Sequence, residues 1–267
     1  MAFEVFARTI KDKYLGATIL AVVLFLYIFW IASFFPMVKP MMDSYDQMLD
    51  NPSLKALVGD IANLKTFGGY MSGEVFGLTG IILGAYIAFL TASFAAGEIE
   101  QKSSELMLSL PVSRTKILLS RFATLIPIVT VIVVAMLLAV ILGALFIGES
   151  VDAGRFAAGM LFTAVFLLAV GGGSLLLSAL MSNGRNAAFA SIGILLAMFL
   201  LDNIGAMVTS IDWARKLSLF HYAKVSGFIA NPAIAIDWAN FGILLAVAVV
   251  FLALAVTVYR RRDINVT

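Results

Sequence analysis

Six stretches of the chain are apolar over the length needed to cross a bilayer. A spanning helix needs roughly 20 mostly apolar residues. Residues 15–35, 74–96, 122–147, 156–181, 187–209 and 239–259 each meet that requirement, and most polar residues gather between them. Membrane barrel strands would alternate apolar and polar positions over about ten residues, and no such alternation occurs. The pattern predicts an all-α polytopic membrane protein with six transmembrane helices. The first apolar run is too long for a leader and lacks a small-x-small exit, so it is expected to remain as a helix.

Three shorter segments are helical in period without the length to span. Residues 3–13 place Phe3, Phe6 and Ile10 on one side and Arg8, Lys11 and Lys13 elsewhere, which predicts an N-terminal interfacial helix lying on the membrane surface. Residues 53–65 set Leu54, Leu57, Val58, Ile61 and Leu64 on one face. They predict an amphipathic outer helix, begun after the Asn51-Pro52 break with Ser53 as its cap. Residues 212–230 mix Trp213, Leu217, Phe220, Phe228 and Ile229 with charges, and are expected to lie in or dip into the outer leaflet. No internal repeat, polar linker or inverted pair of broken helices divides the chain. Residues 1–267 therefore read as one membrane domain.

Composition removes the soluble classes. Hydrophobic residues make up 62% of the chain, charged residues 13%, and mean hydropathy is +1.03; soluble domains hold about 45–50% apolar and about 25% charged residues. No cysteine is present, so disulfides and thiolate metal sites are excluded. Orientation follows the basic residues. With both termini cytoplasmic, the inner segments hold 11 Lys and Arg and the outer ones 7, while acids divide 6 inside to 10 outside. Arg260, Arg261 and Arg262 form the strongest inner anchor. Trp30, Trp213 and Trp238 fall near the proposed outer interface, Tyr14 and Tyr259 near the inner one. These features predict a chain that crosses a membrane several times with both termini cytoplasmic.

Candidate catalytic chemistry is sparse. The single histidine, His221, excludes a His-Glu-x-x-His zinc site; no Gly-x-Ser-x-Gly occurs, and the dipeptide Gly-Lys of a phosphate-binding loop is absent. The expectation is no enzyme activity, no metal and no cofactor on this chain. No basic surface interleaved with aromatics suggests nucleic acid. Asp202 is the clearest ionisable residue within a span, near the outer end of helix five, where it is either solvated or paired with a loop cation. His221 reads as interfacial or structural, with a functional role as the less favoured alternative. Gly73, Gly77, Gly80 and Gly84 share one face of helix two at spacing 4, 3, 4. Such a stripe allows close helix approach, either inside one subunit or toward a partner subunit or transport path. Gly171-Gly172-Gly173 predicts a hinge or a close-packing point in helix four, and Pro127 a kink in helix three.

The segment between helices two and three is the most charged part of the middle of the chain. Glu98, Glu100 and Glu105 precede Pro111; Arg114, Lys116 and Arg121 follow it; Leu106, Leu110 and Val112 give it an apolar side. Pro111 ends one short helix and Val112-Ser113-Arg114 opens the next. On the residues alone, this pair is either a docking surface for a soluble partner or a helix resting on lipid.

The stretch AAGEIEQKSSELMLSLPVSRTKILLSRF resembles the hallmark of permease subunits of ABC-2 type ATP-binding-cassette exporters. Glu98, Glu100, Glu105, Leu106, Leu108, Ser109, Leu110, Pro111, Val112, Ser113 and Arg114 match that element, and Ser103-Ser104 stands where the family often has Gly-Thr. The outer segments NPSLKALVGDIANLKTFGGYMSGEVFG and KLSLFHYAKVSGF are similar to bacterial and archaeal members, with Leu219 where many have proline. The resemblance implies a permease acting as a pair, with a second copy or a sister chain, each permease bound to a cytoplasmic ATPase subunit that carries ATP and Mg. It implies that Glu98, Glu100, Glu105, Leu106, Leu110, Pro111 and Arg114 belong to a cytoplasmic coupling helix seated in the ATPase, and that residues 3–13 flank the contact. Cargo would cross between two permeases, along helices two and five. The nearly uncharged spans favour a hydrophobic or amphipathic cargo. The rival classes are a nucleotide-independent carrier or channel, and a non-transporting membrane scaffold or regulator.

Overall fold

The computed structural model describes residues 2–49, 65–77, 79–96 and 113–261. Ten α-helices and one 3₁₀ helix fall within them. They are α1 (Ala2–Leu49), α2 (Phe67–Phe76), α3 (Thr79–Ala92), α4 (Arg114–Ala123), α5 (Leu125–Ile147), α6 (Ala153–Leu180) and α7 (Gly184–Met207). The 3₁₀ helix Thr209–Leu217 follows, then α8 (Leu219–Tyr222), α9 (Ser226–Ala230) and α10 (Trp238–Arg261). Among the described residues, six stretches are long and apolar enough to cross a membrane: Glu4–Met41, Phe67–Ala92, Thr115–Ile147, Ala153–Leu180, Gly184–Met207 and Trp238–Arg261. The six-span, all-helical architecture expected from hydropathy is the one observed.

The boundaries of the first span differ from expectation. The predicted surface helix 3–13 and span 15–35 are one continuous helix that runs on through Pro36 and Pro40 to Leu49. No Pro or Asn-Gly pair lies between Lys13 and Ala17 to end the first segment, so clustered charge alone does not stop the helix. The two prolines remove two backbone donors, which a spanning helix tolerates when its neighbours and flanking turns take up the freed carbonyls. Span two starts seven residues earlier than predicted and is interrupted at Gly77, where the Gly77 N–H still bonds to Gly73 O at 2.9 Å. Span three is interrupted at Thr124, three residues before Pro127, whose missing N–H leaves the Ala123 carbonyl without its usual donor. The predicted outer helix 53–65 lies outside the described residues, apart from Lys65.

Helix α6 is the axis of the bundle. It packs on α10, α3, α5 and α7, and most of its apolar length is buried, whereas most of α10 is not. The glycine triplet explains the approach. A Cβ on Gly171 would stand 2.6 Å from Leu125 Cδ1, and one on Gly172 3.2 Å from the Ala248 carbonyl. The triplet is a close-packing point for spans three and six. Large apolar side chains such as Phe89, Leu145 and Phe146 stay exposed on the outer surface of the bundle; in a membrane protein that surface belongs to lipid or to another membrane chain. Helix α5 ends at Gly148, whose φ of 73° is the left-handed conformation that glycine adopts without strain.

Spans one and three lie side by side, and Gly143 on α5 faces Ala32 on α1 so closely that a Cβ at 143 would overlap the Ala32 methyl. Gly143→Val is expected to lower stability by about 1–3 kcal/mol through overpacking, read as a fall in melting temperature of the purified chain. Adding Ala32→Gly should recover part of that loss, because the two sites share one contact. A parental melting temperature in the single variant would show that the two helices separate freely.

Candidate functional site

Two polar constructions interrupt the apolar bundle, one at each end. Six spans bring both termini to one end, the terminal end; the other is the distal end.

At the terminal end, α3 leaves the bundle toward the charged segment. Ser178 of α6 is fully buried there. Its hydroxyl oxygen accepts from the backbone N–H of Ala95 at 3.1 Å and of Ala96 at 2.9 Å, and donates to Ala92 O at 2.6 Å. One side chain thus satisfies a carbonyl at the end of α3 and two N–H groups of the stretch that follows it. The chain returns through α4, where Arg121 is also buried and donates from Nη1 to Phe94 O. Thr124 Oγ1 donates to Arg121 O at 2.6 Å. Ala92 and Ala96 pack with Ala187 and Ala188 of α7, so small side chains let spans two and five converge. Both ends of the charged segment are therefore fixed to the bundle: the outgoing end to α6, the returning end to the outgoing one. Glu98, Glu100, Glu105, Leu106, Leu110 and Pro111 lie outside the described residues. Arg114 opens α4 in the backbone.

At the distal end, Asp202 of α7 is 3% exposed. Arg215 Nε donates to its Oδ1 at 3.1 Å, Lys224 Nζ stands 2.9 Å from Oδ2, and His221 Nδ1 lies 3.7 Å from Oδ1 without a hydrogen-bond partner. Arg215 also reaches Asp212 Oδ1 at 2.7 Å. The hydrogen bond to Asp212, opposed by partial burial and reinforced by Asp202, holds the guanidinium above its usual pKa. The loop cation alternative for Asp202 is the observed one, twice over, and its carboxylate is not open to solvent. The segment 209–230 folds back on the spans. Ser218 Oγ donates to Met198 O at 2.8 Å, and the Phe220 ring sits 4.9 Å from Phe166 and 5.3 Å from Phe199, centroid to centroid. Arg155 pins the next stretch, donating to the carbonyls of Phe228, Pro232 and Ile234 at 2.5, 2.6 and 2.9 Å.

The family model of the ABC-2 family transporter proteins matches residues 6–264. The chain belongs to that family. No curated protein matches it. Membership makes the chain the membrane component of a transporter, a permease with no enzyme activity of its own.

The glycine stripe divides between two tasks. A Cβ on Gly84 would lie 2.8 Å from Leu195 Cδ2 of α7, so that glycine serves packing within the subunit. Gly73, Gly77 and Gly80 line a distal cavity at the interruption of span two. Ser178 and Arg155 escaped the sequence reading, as did the identity of the loop cations that pair with Asp202. Ser178 is 83 residues from Ala95, and Lys224 is 22 from Asp202, so no local pattern links them.

Proposed function

We propose that the chain is the transmembrane subunit of an ATP-driven exporter. It would work as a pair, with both termini cytoplasmic, in the plasma membrane of a bacterium or archaeon. Each copy would be driven by a separate ATPase subunit that holds ATP and Mg. The observation that carries this reading is the acidic, Leu-rich, Pro-Val-Ser-Arg element spliced between two helix ends that are locked to the bundle. A segment held at both ends passes on a push that a free loop would absorb. Moving a two-state protein from 1:99 to 99:1 takes about 5.5 kcal/mol of differential binding. The sequence offers no nucleotide loop and no buried proton relay to supply it, so the energy comes from a partner. Charge-assisted hydrogen bonds from Glu98, Glu100, Glu105 and Arg114 to that ATPase would each contribute about 1.5–3 kcal/mol when partly buried. Cargo passes along helices two and five as a hydrophobic or amphipathic molecule.

The test is charge reversal. Glu105→Lys and Arg114→Glu, alone and together, are expected to abolish ATP-dependent export from vesicles while leaving the melting temperature of the chain unchanged. Unaltered export by the double variant would refute the assignment of this segment to ATPase contact.

A further inference from the structure

The break in span two opens on a cavity of about 280 Å³ at the distal end. That is just below the range of roughly 300–1,000 Å³ for ligand pockets, enough for a small ligand. Its lining mixes two chemistries. Phe76, Phe166, Phe199 and Phe220 contribute to it, and so do Lys224, Asp202 and the hydroxyl residues Thr79 and Ser226. Spans two, four and five and the segment 220–226 all contribute, so the cavity lies inside one subunit.

The charges in the lining are not neutral toward a ligand. Asp202 is spent: Arg215 occupies Oδ1 and Lys224 stands at Oδ2. A cationic ligand would have to displace Lys224, and would then face Arg215 and His221 close behind the carboxylate. A wholly apolar ligand would cover the ammonium of Lys224 without giving it an acceptor, which costs free energy. An anion does neither. Lys224 has three N–H donors and a side chain still 46% exposed, so it can serve Asp202 and a ligand oxygen together. We propose that this cavity binds a small amphipathic anion: a carboxylate set against Lys224, carried on an aromatic or short aliphatic body that packs among the phenylalanines. The carboxylate replaces water at Lys224 with a charge-assisted hydrogen bond, while the ring buries its area against Phe166 and Phe220.

The experiment uses the full chain in lipid nanodiscs and three probes of one shape: 4-phenylbutyrate, 4-phenylbutanol and 4-phenylbutylamine, followed by titration calorimetry. The carboxylate is expected to bind about tenfold more tightly than the alcohol, the gain of one charge-assisted hydrogen bond, and the amine least. Lys224→Gln should erase the preference for the carboxylate, and Lys224→Arg, which keeps the Asp202 pair, should retain it. Ser226→Phe, at an exposed position on the rim, should fill the cavity and remove binding of all three. Tightest binding by the amine, equal affinities, or a carboxylate preference that survives Lys224→Gln would overturn the proposal, as would undiminished binding by Ser226→Phe, which would place the probes outside the cavity. Should Lys224→Gln fail to fold, Ser226→Phe alone decides. Binding is read without any ATPase, so its outcome and that of the charge-reversal test stand apart.

Discussion

Replacing Asp202 by alanine is expected to destabilise the chain by about 3 kcal/mol, the lower end of the 3–5 kcal/mol seen when one partner of a buried ion pair is removed. The lower end applies because the partners differ in exposure. The Asp202 side chain is 4% exposed, Arg215 19% and Lys224 46%. Lys224 can turn to water once its partner is gone, and Arg215 keeps Asp212 at 2.7 Å. What remains is a partly buried guanidinium whose Nε has lost its acceptor, beside a small void in α7. The consequence is local before it is global. Arg215 and Lys224 tie the 3₁₀ helix and the stretch after α8 to span five, so their release should free the segment 209–224. Melting in detergent is expected to fall by about 6 °C, at roughly 2 °C per kcal/mol for a chain of this size. Amide exchange should quicken first in that segment. Asp202→Asn should fall between the two: its carbonyl can still accept from Arg215, but its NH₂ then opposes the Lys224 ammonium. A parental melting temperature in Asp202→Ala would mean that the aromatic packing of Phe220 holds the segment without the charges.

Sequence revealed most about what the bilayer itself requires. Six spans were legible because each must supply about 20 apolar residues, and no interior arrangement relaxes that demand. Boundaries were less legible, because a helix end depends on where backbone bonds go afterwards. The apolar run of span one closes at residue 35, yet α1 passes on through Pro36 and Pro40 to Leu49. Lys11, Asp12 and Lys13 read as a surface element, yet they continue into the span. The glycines of span two read as one stripe of a single function; in the folded chain Gly84 packs on Leu195, while Gly77 marks an interruption beside a cavity. The candidate site shows the same division. Motif residues were visible because their order in the chain is their signature. The residues that hold that motif in place were not, since a lone serine at 178 in an apolar helix looks like any other small residue. Asp202 drew notice as a charge in a span, but its partners Arg215 and Lys224 reach it only through the fold-back at Ser218 and Phe220.

Ser178 carries the second large prediction. In Ser178→Ala the N–H groups of Ala95 and Ala96 lose their acceptor and Ala92 O its donor, all at a residue with no exposed surface. Each buried group left unsatisfied costs about 1–3 kcal/mol. Some of that is recovered as the last turn of span two loosens toward water, so a net loss of about 3 kcal/mol is expected. The loosening matters more than the energy. Helix α3 meets α6 and α7 along its length, and its end fixes where the charged segment begins. With that end free, a displacement of the segment would be taken up in residues 92–96 before it reached the spans. Under the proposed mechanism the variant should still bind its ATPase and support ATP hydrolysis, while export per ATP falls steeply. Ser178→Cys, with a weaker donor and acceptor of similar size, should lie between the two. Amide exchange at Ala95 and Ala96 provides the check that a general loss of stability would not mimic: both should lose protection ahead of α3. Parental protection at those two amides, with export per ATP intact, would remove the bracket from the coupling path and leave Ser178 as a packing residue.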